Sequence, residues 1–121
     1  MKKILFSLLI ALFIVGCGNK AEQEKKISNS ITGAEAREMI TEGALLLDVR
    51  TKSEYNEEHI EGAVLLSLDD INIINMEEIV DTKDTVIIVY CRSGNRSSQA
   101  ATKLQKLGYT NVYDLGSISN W

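Results

Sequence analysis

The segment Tyr90-Cys91-Arg92-Ser93-Gly94-Asn95-Arg96-Ser97 places one thiol directly after the apolar run Val86-Ile87-Ile88-Val89-Tyr90 and directly before a helix-like stretch. A loop at a helix N-terminus offers backbone N–H groups and the positive end of a helix dipole. This one adds the guanidinium groups of Arg92 and Arg96, and all of these favour thiolate over thiol. A lowered thiol pKa, and with it a nucleophile, is expected at Cys91. A cysteine buried as a small hydrophobe would fit better inside the strand than at its end.

Positioning such a loop requires a strand before it and a helix after it. Thr85 to Tyr90 is the clearest strand in the chain, and Ser97 to Leu107 carries Ala100, Leu104 and Leu107 at helical spacing, with Gly108 placed to end the helix. Upstream, Thr32 and Glu35 form a capping box for a helix over 33–42 whose apolar stripe is Ala36, Met39 and Ile40. Ala44 to Val49, broken only by Asp48, is an aliphatic run without alternation, as in a strand covered on both faces. A second helix is expected from Ser53 over Glu54 to Glu58, then a short strand from Ala63 to Leu66. A helical segment lies within 69–80, with Asn75 capping 76–80, and a last strand runs from Asn111 to Leu115. A short first strand begins near Ile27. Strands alternating with helices predict an α/β domain with a largely parallel sheet, whose sites lie at the carboxyl ends of strands. Cys91 is at such an end.

The whole chain has 121 residues, formal charge −4, 45% hydrophobic and 25% charged residues, which suits one globular domain and excludes the basic excess expected of a nucleic-acid binder. Its start is different. Met1-Lys2-Lys3 is a short positive region, and Ile4 to Val15 is apolar but too short to span a bilayer comfortably, so 1–16 reads as a signal peptide. Ile14-Val15-Gly16-Cys17 resembles the bacterial lipoprotein signal, which implies that Cys17 becomes the lipidated first residue of the mature protein. Two or more acyl chains there suffice for stable anchoring, and the expected location is the cell envelope, facing outside the cytoplasm. Removing 1–16 leaves 105 residues and takes the formal charge from −4 to −6. Residues 17–30 then form the lipidated terminus and a polar tether, able to span on the order of 20 Å, and 31–121 form the domain. With Cys17 committed to lipid, Cys91 has no disulfide partner in the chain.

Four stretches together resemble the rhodanese-like (sulfurtransferase) family: Leu47-Asp48-Val49-Arg50 with Glu54-Tyr55, His59-Ile60-Glu61-Gly62-Ala63, Tyr90 to Ser97, and Gly116-Ser117-Ile118-Ser119-Asn120-Trp121. The resemblance implies a three-layer fold with a five-stranded, mostly parallel sheet flanked by helices. It also implies a two-step chemistry: the Cys91 thiolate takes the outer sulfur of thiosulfate or a persulfide and passes it to a thiol, cyanide or protein acceptor. The loop's physics agrees. A persulfide carries its excess charge on the terminal sulfur, for which the N–H groups of Arg92, Ser93, Gly94, Asn95, Arg96 and Ser97 form a ring of donors. Gly94 permits the tight curl, Arg92 and Arg96 hold the departing sulfite-like anion, and Ser97 caps the next helix with its hydroxyl aimed into the loop. No metal and no cofactor is expected.

Four residues separate Cys91 from Arg96, and the shorter loop suits sulfur better than the phosphoryl group handled by cysteine phosphatases, whose loops have five, or by arsenate reductase-like enzymes. The other reading is a sulfur-carrying or sensing module with little turnover of its own. Asp48 and Arg50 either bind the loop's N–H groups or orient the loop, or else form an ordinary strand-end ion pair with Glu54 or Glu58. A structural role is assigned to His59, since a low-pKa thiol needs no base, and packing roles to Trp121, Tyr109 and Tyr113. Two departures from the family pattern stand out: Glu61 replaces a common proline, and Gly116-Ser117 replaces paired glycines, which perturbs the loop after the last strand.

Overall fold

The computed structural model describes residues 29–121. The stretch read as a signal peptide, Cys17 and most of the expected tether lie outside the described residues. Five strands, β1 (Asn29–Ser30), β2 (Leu45–Asp48), β3 (Val64–Leu65), β4 (Val86–Cys91) and β5 (Asn111–Ser117), form one sheet in the order β1-β5-β4-β2-β3. Every pairing is parallel. The α-helices are α1 (Gly33–Thr41), α2 (Lys52–Glu57), α3 (Ile73–Ile79) and α4 (Asn95–Lys106), joined by 3₁₀ turns at Leu68–Asp70 and Ile118–Asn120. Asn29 and Ser30 pair with Tyr113 and Asp114, so the sheet takes in two residues that the sequence reading assigned to the tether.

The unalternating apolar runs in β2 and β4 follow from burial on both faces. Side chains of a strand alternate, and β4 divides accordingly. Ile87, Val89 and Cys91 join Leu47, Val49, Ala100, Ala101 and Leu104 in one core, under α3 and α4. Ile88 and Tyr90 join Leu46, Ala36, Ile60 and Leu115 in the other, under α1. The last residue of β4 therefore points towards α4, and the residue before it points away.

Capping chemistry sets the helix starts. The Thr32–Glu35 box opens α1 as expected, and a second box, Thr51–Glu54, opens α2 at Lys52. α3 is capped by Asn72, whose side chain accepts the Asn75 N–H at 2.8 Å. Asn75 is not the cap, because it lies inside the first turn of α3; its side-chain amide donates to the Asp70 carbonyl at 2.7 Å. β5 bulges where the register with β4 slips at Val89/Tyr90: Val89 faces Asp114 while Tyr90 faces Gly116. Asp114 Oδ1 accepts the Gly116 N–H at 2.8 Å, and Gly116 takes φ 85°. The slip brings Ser117 level with Cys91.

Candidate active site

β4 ends at Cys91 and α4 begins four residues later, so the thiol lies beneath the first turn of a twelve-residue helix. The residue is fully buried. Its Sγ accepts the N–H of Gly94 at 3.0 Å and that of Ser97 at 3.3 Å. Burial pushes the thiol up. The Ser97 hydroxyl and the N–H groups of Ser97, Gly94 and Ser93 pull it down by more, leaving it below its ordinary value.

Gly94 is the residue that turns the chain from strand to helix. It sits at the N-cap with φ 104°, in the left-handed region. A Cβ there would meet nothing nearer than the Gly116 Cα at 3.9 Å, so backbone conformation and not space demands the glycine. The helix starts at Asn95, two residues before the expected Ser97, and Ser97 is not its cap. Instead Ser97 lies inside the first turn, fully buried, with its hydroxyl 3.1 Å from the Gly94 carbonyl, to which it can donate. Ser93 and Asn95 are exposed on the loop's outer side.

Both loop arginines lie beside one carboxylate. Arg96 is engaged by Glu54 of α2 in a bidentate pair, Nη1 to Oε1 at 2.8 Å and Nη2 to Oε2 at 3.0 Å. Arg92 is largely exposed, its Nη1 3.7 Å from the same carboxylate. The Arg96 guanidinium, followed by the Thr51 N–H, holds the Glu54 carboxyl well below the usual carboxylate range. Next to the loop is a cavity of about 180 Å³ bordered by Arg50, Arg92, Ile118 and the carboxylates Glu54, Glu57 and Glu58.

Asp48 and Arg50 do not bind the loop's N–H groups, and they do not pair with the side chains of Glu54 or Glu58. They pair with each other: Arg50 Nη2 and Nε donate to Asp48 Oδ2 and Oδ1 at 2.7 and 2.9 Å, and Nη2 also donates to the Glu58 carbonyl at 2.6 Å. The reason is parity. Asp48 is in register with Tyr90, on the face opposite Cys91. The Tyr90 hydroxyl donates to Asp48 Oδ2 at 2.7 Å and accepts the Ile60 N–H at 3.1 Å, which ties β2, β4 and the turn before β3 together. His59 stacks on Tyr55 at 3.7 Å between ring centroids, with Nδ1 2.8 Å from the Tyr55 carbonyl, a structural arrangement.

Residues 32–121 match the sequence profile of the rhodanese-like domain. The chain belongs to the rhodanese-like family. It is 35% identical over 74 residues to thiosulfate sulfurtransferase PspE of Escherichia coli K12, covering 61% of this chain and 70% of that one. It is 43% identical over 82 residues to a sulfurtransferase of Allochromatium vinosum, covering 67% and 74%. Among solved structures, a rhodanese with anions from E. coli superposes with a TM-score of 0.62 at 30% identity, over 65% of this chain and 92% of the other. The five-stranded α/β architecture is thus the rhodanese fold.

Three residues at this end of the rhodanese-like sheet have roles that the sequence did not disclose. Glu54 was assigned to a helix but not to the loop arginine, although the Thr51-x-x-Glu54 spacing marks it as a residue fixed at a helix start. Tyr90 read only as part of an apolar strand. Ser117, expected to perturb its loop, instead steadies it: its hydroxyl donates to the Arg92 carbonyl at 2.7 Å and accepts the Ser119 N–H at 3.1 Å.

Proposed function

We propose that the protein is a thiosulfate or persulfide sulfurtransferase working through a persulfide on Cys91. One observation carries this: the sulfur lies under the start of α4 as acceptor of the Gly94 and Ser97 N–H groups, where the negative charge of the attacking and departing Cys91 thiolate is stabilised. In the first step the Cys91 thiolate attacks the outer sulfur of thiosulfate, the S–S bond breaks, and sulfite leaves with the electron pair. Charge is conserved, because the outer sulfur of the new persulfide keeps the single negative charge. In the second step an acceptor thiolate or cyanide attacks that outer sulfur, and the Cys91 thiolate is released as leaving group.

Thiosulfate with cyanide should yield thiocyanate, and Cys91→Ser should abolish it. Thiocyanate formation that survives the substitution refutes the mechanism. Full burial of Cys91 restricts access by free acceptors and so fits a second reading, a sulfur-carrying module with little turnover alone. A gain of one sulfur atom in intact mass with negligible turnover would select it.

The location we propose is the cell envelope of a bacterium, with the chain held to the membrane by lipid on Cys17 and the domain outside the cytoplasm. The sequence Ile14-Val15-Gly16-Cys17 after an apolar segment supports this. Cys17→Ala should release the protein from the membrane fraction.

A further inference from the structure

We propose that Glu54 is a specificity-determining residue: by occupying Arg96 it competes with the anionic end of the sulfur donor and disfavours dianions such as thiosulfate relative to monoanionic donors. The inference rests on the sulfurtransferase reading and deepens it.

The carboxylate is fixed independently of the arginines it faces. Besides the Arg96 Nη1 group, Glu54 Oε1 accepts the Thr51 N–H and the Thr51 hydroxyl, each at 3.0 Å, so the start of α2 holds the carboxylate in place. Its side chain is 18% exposed, against 30% for Arg96 and 74% for Arg92. An anion that seeks the Nη1–Nη2 fork of Arg96 therefore meets donors already engaged by Glu54, and there it must displace a bidentate, charge-assisted pair. It also enters beside a cavity bordered by Glu57 and Glu58 as well as Glu54. The two loop arginines, which from their sequence alone would present two positive charges to a donor, share one negative partner, so their combined field is about halved. Repulsion between Glu54 and a donor scales with donor charge, which makes the cost larger for a dianion.

Glutamine at this position can keep the capping box, which accepts Glu or Gln, while it removes the charge and the acceptor that faces Arg96 Nη2. The test is single-turnover loading of Cys91 in the full chain, followed by intact mass, against concentration of thiosulfate and, in parallel, of the monoanion methanethiosulfonate. For Glu54→Gln the half-saturating thiosulfate concentration should fall about three- to tenfold. The fall for methanethiosulfonate should be smaller, and the saturating rate should stay within about twofold of the wild type. Glu54→Asp, which withdraws the carboxylate from Arg96 by one methylene, should change half-saturation in the same direction and covers the case of a poorly folded Gln variant. An unchanged or raised half-saturation, an equal fall for both donors, or a change in saturating rate alone overturns the proposal. Failure of the wild type to gain sulfur from either donor overturns the sulfurtransferase reading along with it.

Discussion

Ser97 carries a single hydroxyl proton with two possible acceptors, the Gly94 carbonyl 3.1 Å away and the Cys91 sulfur, whose charge it helps stabilise. When the sulfur is a thiolate, the charged acceptor should win. Removing the hydroxyl in Ser97→Ala then costs the thiolate one charge-assisted hydrogen bond, with the Gly94 and Ser97 N–H donors left in place. Such a bond contributes about 1.5–3 kcal/mol, and part of this is retained as the N–H donors tighten. We take about 1.4 kcal/mol as the net loss, which raises the thiol pKa by about one unit. The kinetic consequence changes sign with pH. Below both pKa values the thiolate fraction falls about tenfold while intrinsic nucleophilicity rises about threefold, giving loading about threefold slower than wild type; above both, the variant should be about threefold faster. The assay pairs thiolate absorbance near 240 nm, as a difference against Cys91→Ser, with rates of sulfur loading across the same pH range. Superimposable titrations, or a rate ratio that is constant with pH, would refute the assignment of the proton to sulfur and leave the hydroxyl serving the Gly94 carbonyl.

Two further outcomes follow from the contacts around this site. Tyr90→Phe strands the Ile60 N–H and takes one donor from the buried Asp48 carboxylate, which should cost about 2 kcal/mol and lower the melting temperature by about 10 °C; sulfur loading at Cys91, on the other face of β4, should stay within about twofold, and a large loss of loading in folded protein would show that the faces are coupled. Glu54 has its carboxyl pKa depressed in the folded state, first by Arg96 and then by the Thr51 N–H, so its stabilisation is complete above the ordinary carboxylate value of 4.5 and fades as pH falls towards the folded value. The stability gap between wild type and Glu54→Gln in urea should accordingly be widest at pH 6 and shrink by pH 3, and a gap that is constant over that range contradicts the ion pair's contribution.

What the sequence disclosed and what it withheld divide along a physical line. The Cys91 loop was legible because everything that makes it a thiolate site is local: a strand's end, a glycine able to take φ 104°, and the first N–H groups of the following helix. The parallel sheet was legible from apolar runs without alternation, which only burial on both faces permits. Helix starts were less so, because Ser97 and Asn75 are both plausible caps, whereas α4 starts at the left-handed turn of Gly94 and α3 at the Asn72 side chain. The Arg96 partner was not legible, since it comes from forty-two residues away in α2.

Strand parity, however, was available and decides more than any single contact. In β4, Cys91 and Tyr90 are neighbours and so must face opposite layers. Asp48, paired in register with Tyr90, must share its face. The buried ion pair of Asp48 and Arg50 therefore belongs with Tyr90 and Ile60, and the thiol belongs with α4, although all of them gather at one end of the sheet. That end thus has two layers with separate tasks. One holds β2, β4 and the turn before β3 in register through charge and hydrogen bonds; the other presents a desolvated sulfur to a helix N-terminus. Substitutions in the first layer should reach the chemistry only through stability, whereas those in the second, at Ser97 and Gly94, should change the sulfur itself.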